Sequence, residues 1–410
     1  MKDSWKKNIS LFLLSQTLSL FGSSLVQYAI TWYITLNTKS GFMITISIIC
    51  GFLPTFFLSP FAGVWADRYN RKILIILSDS FTAASTLVLA IVFLMGYDSI
   101  VLLFVMSVFR SIGSGIQLPA VGAFIPQIVP EEHLTKVNGL NGSIQSVIFL
   151  LSPILSGLLL TVATIEMIFF VDVITAAVAV LVMQFFLKVT AHSRAQGRRQ
   201  TGYFNDLKQG IGYIRGHSFL KSFMIYCTFF FFMISPVACL SPLQVARTFG
   251  DDVWRLTAIE ISFSLGMLLG GVLITVWGGF RNRVHTMTFS CFVISLSTIA
   301  LGIAPSFWIY LIIMGISGVS IPLFNTPSTV MLQEKVEPDF LGRIFGIFSM
   351  ISSSMMPLGM LIFGPIADVI RIEWLLIGTG IFMFVQSVLL IKSRSLMEAG
   401  KPKTDLIQVD

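Results

Sequence analysis

Twelve apolar runs, each about as long as a bilayer's hydrocarbon core is thick, constrain this chain more than any other feature. A helix needs about 20 apolar residues to cross that core. Runs of this kind fall at residues 9–36, 43–65, 73–95, 99–124, 140–162 and 166–187, then at 220–246, 256–278, 285–304, 306–330, 343–365 and 373–391. The longest polar stretch, about 189–218, shows no periodic apolar pattern and is too short for a soluble domain. Composition agrees, since charged residues make up 11% of the chain where a soluble domain carries roughly 25%. The expected fold class is an all-α integral membrane protein with twelve transmembrane helices.

The charges read as topology. GVWADRYNRK, Gly63 to Lys72, packs an Asp, two Arg and a Lys between two apolar runs, and such a cluster cannot lie in hydrocarbon. With the N-terminus inside, nearly all Lys and Arg fall in segments on one side. Only Lys39, Arg247, Arg255 and Arg371 fall on the other, and Arg110 lies within a helix. This bias places both termini in the cytoplasm. It also accounts for the net charge of +7 without nucleic acid as a partner; the lipid bilayer is the expected surrounding. The run 9–36 is too long for a signal peptide's apolar region of about 7 to 15 residues, so it reads as a retained first helix. Cys50, Cys227, Cys239 and Cys291 have no CxxC spacing and read as membrane-buried thiols.

The chain divides into a six-helix bundle at 1–187, a cytoplasmic basic linker at 188–219, a second six-helix bundle at 220–391 and a cytoplasmic tail at 392–410. The bundles read as repeats. PEEHLTKVNG, from Pro130, aligns with EPDFLGRIFG, from Glu337, so that Leu134, Lys136 and Gly139 match Leu341, Arg343 and Gly346. Trp65, Asn70 and Arg71 match Trp277, Asn282 and Arg283. Parallel six-helix repeats that handle substrate at their interface are the layout of one large transporter class.

At Gly63, Asp67, Arg68, Arg71 and Lys72 the chain resembles the major facilitator superfamily, whose loop after helix two reads G-x-x-x-D-R-x-x-R-[RK]. RSIGSG, from Arg110, is similar to the helix-four signature. SLFGSSLVQYAITWY, GFLPTFFLSPFAGVWADR, RSIGSGIQLPA, EISFSLGMLLGG and PDFLGR together resemble the bacterial macrolide-efflux branch of drug:proton antiporters. There are departures. Ser152-Pro153 stands where the helix-five signature has Gly-Pro, Gly279 replaces the acidic residue of the second loop signature, and helix one carries Gln16 and Gln27 but no carboxylate. The resemblance implies that the loop from Gly63 to Lys72 latches the cytoplasmic helix ends as a gate, with Gly63 allowing close helix approach. Asp67 would sit just before helix three and accept backbone N–H groups there.

No G-x-x-x-x-G-K-[ST] is present, so transport draws on an ion gradient, and no cofactor or metal is expected. An ionisable group in hydrocarbon costs about 3 kcal/mol or more and needs a reason. Asp79, Arg110 and Asp172 are the candidates for proton coupling, the two acids reading equally well as interhelical hydrogen-bond partners. Glu166 and Glu260 read as near-surface groups. By the superfamily's architecture, helices one, four, seven and ten line the substrate cavity. This nominates Gln27, Tyr28, Trp32, Gln117, Tyr226, Phe230 and Asn325, a set suited to a large lipophilic, weakly basic compound. The expected activity is export of lipophilic drugs, macrolides foremost, in exchange for protons by a monomer. The alternatives are a same-fold exporter of another antibiotic or a siderophore-like metabolite, and a non-transporting membrane sensor or assembly factor.

Overall fold

Lipid offers no hydrogen-bonding partner to a peptide group, so an apolar run in a bilayer satisfies its backbone internally and becomes a helix. The computed structural model describes residues 4–187 and 203–401; the side chains of Ser4, Asp67, Thr135, residues 203–206 and Asp339 are not among those described. It contains α1 (Ser4–Thr38), α2 (Gly41–Arg68), α3 (Arg71–Leu94), α4 (Ile100–Ile128), α5 (Glu131–Val162) and α6 (Ile165–Leu181), which ends in a π turn at Val182–Phe186. There follow α7 (Tyr203–Gly216), α8 (Ser218–Met233), α9 (Ser235–Thr248), α10 (Val253–Trp277), α11 (Arg283–Gly302), α12 (Phe307–Lys335), α13 (Pro338–Val369), α14 (Ile372–Lys392) and α15 (Arg394–Ala399). Among the described residues there are 12 spans long and apolar enough to cross a membrane, with α8 and α9 together forming one.

Contacts divide the chain into two units, Met1–Asn37 with Ile46–Arg199 and Thr38–Thr45 with Gln200–Asp410. In the first, α3 packs on α4 and α6, and Phe12, Ile75, Phe124 and Met183 form a core in which the Phe12 and Phe124 rings lie 5.0 Å apart. In the second, α10 packs on α12, and α11 on α12 and α14. The α10–α12 crossing is close enough to need glycine. A Cβ at Gly266 would stand 2.1 Å from the Gly315 carbonyl oxygen, and one at Gly318 would stand 2.2 Å from that of Phe263. Small residues at such crossings let backbones approach and gain dispersion contact. Polarity is inverted relative to a soluble protein. Ser78, Thr86, Ser290 and Thr298 are buried, whereas Leu118, Val276 and Val369 are among the most exposed residues.

The repeat is visible at the helix starts. Asn70 accepts the Lys72 N–H at the head of α3, and Asn282 accepts the Val284 N–H at the head of α11. Asn is among the best N-cap residues because its side-chain oxygen satisfies an otherwise orphaned N–H. In the second loop Gly278 and Gly279 both have left-handed backbones, φ 75° and 81°, which explains why an acidic residue does not stand at 279.

Two expectations are corrected. The stretch 189–218 is not aperiodic throughout, because Phe204, Leu207, Ile211 and Ile214 repeat at helical spacing and α7 forms there. Tyr213 of α7 stacks on Phe340 of α13, with centroids 4.3 Å apart. The run 220–246 is not one helix: it breaks between Met233 and Ser235. Pro236 has no N–H to give the Phe232 carbonyl, and the Ser235 hydroxyl takes its place at 2.8 Å. Gly359 of α13 packs against the break, its missing Cβ 2.2 Å from the Ser235 hydroxyl oxygen.

Candidate functional site

Arg110 lies in the interior of α4, and its guanidinium is a fork of N–H donors with no acceptor of its own. The fold provides a partner: Nη1 of Arg110 meets Oδ2 of Asp172, from α6, at 2.5 Å, with side-chain exposures of 8% and 1%. The pair is embedded. Thr86 of α3 donates to Asp172 at 3.0 Å and accepts from Arg110, Ser23 of α1 donates to Asp172 at 3.3 Å, and Nη2 of Arg110 donates to the Ser23 carbonyl at 3.2 Å. Four helices thus converge on one ion pair. A polar hollow of about 190 Å³ opens beside it, lined by Gln27, Ser107, Arg110 and Ser114 among others.

Asp79, from α3, is not part of that pair. Its Oδ1 accepts from Ser19 at 2.9 Å and from Gln117 at 2.5 Å, and Gln117 also reaches Gln16 at 3.5 Å. Its Oδ2 is buried without a hydrogen-bond partner among the described residues. A proton placed on Oδ2 would cancel the charge without disturbing either bond. In place of a helix-one carboxylate, a helix-one hydroxyl, Ser19, and a helix-four amide, Gln117, surround an acid from helix three. Glu166 sits in the first turn of α6, where the helix dipole favours an acid.

Two cations of the loop signature bind backbone carbonyls of the first unit. Arg71 donates to the carbonyls of Ala66 at 2.8 Å and Ala123 at 3.0 Å, and Lys72 to those of Leu187 at 2.8 Å and Gln184 at 3.3 Å. These cations therefore satisfy carbonyls at the ends of α2, α4 and α6. Arg68 is exposed. Asp67 closes the last turn of α2 rather than preceding α3; its side chain lies outside the described residues. Among the described residues a Cβ at Gly63 would meet nothing within 4 Å.

Of the nominated cavity residues in the first unit, Gln27 lines the polar hollow, Gln117 binds Asp79, and Trp32 is 1% exposed. Tyr28 lies beside it, ring centroids 5.7 Å apart. In the second unit Tyr226 lines a groove between α8 and α14, and Phe230 and Asn325 line a different, apolar cavity. The residue that sequence reasoning undervalued is Glu260. It lies two turns inside α10 and lines that apolar cavity. Counting from Asp252, the residue at the N-cap position, would have placed it about 12 Å along the helix.

The second unit also contains a polar cluster at the head of α2. Asp368 accepts from the Ser40 hydroxyl at 2.7 Å and from the N–H groups of Gly41 at 2.7 Å and Phe42 at 2.9 Å. Arg247 binds Asp368 at 2.8 Å and the Lys39 carbonyl, and Lys39 binds Asp251 at 2.8 Å.

The family model of the Major Facilitator Superfamily matches residues 12–360. The chain belongs to this superfamily. It is 31% identical over 379 residues to macrolide efflux protein A of Streptococcus pyogenes, covering 92% of this chain and 93% of that protein. It is likewise 31% identical to macrolide efflux protein A of Enterococcus faecalis over 323 residues, 78% of this chain and 99% of that one. The superfamily fold is shared with a bacterial homolog of the human lysosomal transporter Spinster, at a TM-score of 0.67 and 15% identity, covering 98% of this chain and all of that one. The protein is thus an integral membrane transporter of the major facilitator superfamily.

Proposed function

We propose that this transporter exports lipophilic, amine-bearing drugs, macrolides foremost, in exchange for protons, with both termini and the loop at Gly63–Lys72 on the cytoplasmic side. One observation carries the substrate reading: identity to macrolide efflux proteins extends through both units, not through one motif. The coupling reading is supported by Asp79, a buried carboxylate with one oxygen engaged by two donors and the other free to take a proton. Arg110 and Asp172 form the fixed charge pair beside which that proton moves. The loop cations tie together helix ends on the cytoplasmic side. The transporter works as a monomer.

The test is accumulation of a radiolabelled macrolide in cells expressing the wild type or Asp79→Asn, with and without a proton uncoupler. The expected result is low accumulation in wild-type cells, restored by the uncoupler, and high accumulation in the variant. Unchanged accumulation, with the protein present in the membrane, overturns the macrolide reading. Export that ignores the uncoupler overturns the antiport reading.

A further inference from the structure

The apolar cavity of the second unit has a volume of about 290 Å³ and is walled by Phe230, Phe231, Phe263, Phe324 and Met314, with Ser317, Asn325 and Glu260 among its few polar groups. The Phe230 and Phe324 rings stack at 4.4 Å. Three observations converge here. First, Glu260 is the carboxylate on this wall, and no hydrogen bond or ion pair engages it among the described residues. This contrasts with Asp79 and Asp172, each held by at least two donors. A carboxylate kept in an apolar site without a partner is unfavourable, and a bound cation would offset that cost. Second, the break between α8 and α9 lies on the same cavity, whose wall includes Phe231, Ile234 and Val237. Non-helical backbone at membrane depth is tolerated where it borders a cavity, and broken helices mark binding sites in transporters. Third, aromatic faces attract a cation by their quadrupoles and leave its apolar substituents in contact with carbon.

We propose that this cavity is an amine-binding site, in which the Glu260 carboxylate faces the ammonium group of a lipophilic cation and the Phe230–Phe324 stack holds its apolar part. Asn325 and Ser317 supply hydrogen bonds to neutral polar groups of the same ligand. The cavity takes a small organic cation whole and a larger drug by its amine-bearing end. The naming of that drug as a macrolide rests on the proposed function; the amine site itself does not.

The experiment measures binding of labelled tetraphenylphosphonium, a permanently charged lipophilic cation, to the full-length protein in nanodiscs. Triphenylphosphine oxide, neutral and of similar girth, serves as the competitor. The wild type is expected to bind the cation at least about tenfold more tightly than the oxide. Glu260→Gln should abolish that preference, and Glu260→Asp should keep it within about threefold. A Glu260→Gln variant that binds the cation with unchanged affinity overturns the proposal, and is also the outcome if Glu260 carries protons alone. A second measurement, on the wild type, does not depend on a variant folding. Modification of Glu260 by a membrane-permeant carbodiimide, followed by peptide mass spectrometry, should slow at least about fivefold in saturating tetraphenylphosphonium; no protection overturns the site. Failure of macrolide export with intact cation binding would reject the proposed substrate and leave this site standing.

Discussion

At the scale of single residues, the first unit keeps its buried charges in two different conditions. Arg110 and Asp172 neutralise one another inside a shell of hydroxyl and carbonyl groups, so removing either partner leaves the other buried without its counter-charge. Arg110→Gln is expected to destabilise the protein by about 3–5 kcal/mol, and adding Asp172→Asn should recover most of that loss. Thermal melting of the purified variants, single and double, checks this. Arg110→Lys is not a conservative replacement, because an ammonium cannot reproduce the planar fork that reaches Asp172 and the Ser23 carbonyl together. The presence of these ionisable residues within apolar runs was legible from sequence. Their pairing was not, because Arg110 and Asp172 lie 62 positions apart and no local pattern links them. Glu260 lies further along its helix than the apolar run indicates, because α10 begins at Val253 and the run at 256.

At the scale of helices, α10 and α12 meet through glycines whose missing side chains let backbone touch backbone. Gly266→Ala and Gly318→Ala each drive a methyl group against a carbonyl oxygen about 2 Å away, and each is expected to cost about 1–3 kcal/mol. Gly271→Ala, on the same helix with nothing among the described residues within 4 Å of the new carbon, should leave the melting temperature unchanged; a loss equal to that of Gly266→Ala would refute the close-crossing account. Helix positions followed from apolar length alone, but the interruption at Ile234 did not. Pro236 was plain in the sequence, yet prolines also sit inside unbroken α2, α4 and α13. What distinguishes the break is the Ser235 hydroxyl, which satisfies the carbonyl that Pro236 cannot.

At the scale of the whole molecule, the cations expected on the outer side are each matched by an acid. Lys39 pairs with Asp251, Arg247 with Asp368, Arg255 with Asp252 and Arg371 with Glu373. Asp368 is the centre of the polar cluster, and Asp368→Asn, which replaces an acceptor by a donor facing N–H groups, is expected to cost about 1–3 kcal/mol, measured by thermal melting. The hydrogen bond from Lys39 holds the Asp251 carboxyl below its ordinary range. A group so lowered contributes its stabilisation above the unfolded value and loses it as pH falls through the lowered one. The small difference in melting temperature between wild type and Asp251→Asn should therefore be flat from about pH 5 to 8 and shrink only below about pH 4; a change near pH 7 would contradict the pairing. Cation placement was readable from the sequence because it depends on which side of the membrane a segment occupies. The acids were not, since Asp and Glu follow no comparable rule.

The matching asparagines at 70 and 282 bear on how such a chain came to exist. Turn chemistry admits few residue types, whereas a lipid-facing Leu, Ile, Val or Phe exchanges freely with the others. A gene doubled end to end would therefore lose its resemblance first along the spans and keep it at the corners. Asn70 and Asn282 are such corners, still performing one task in two places, and the ancestor of either half is better sought through its turns than through its membrane-crossing segments.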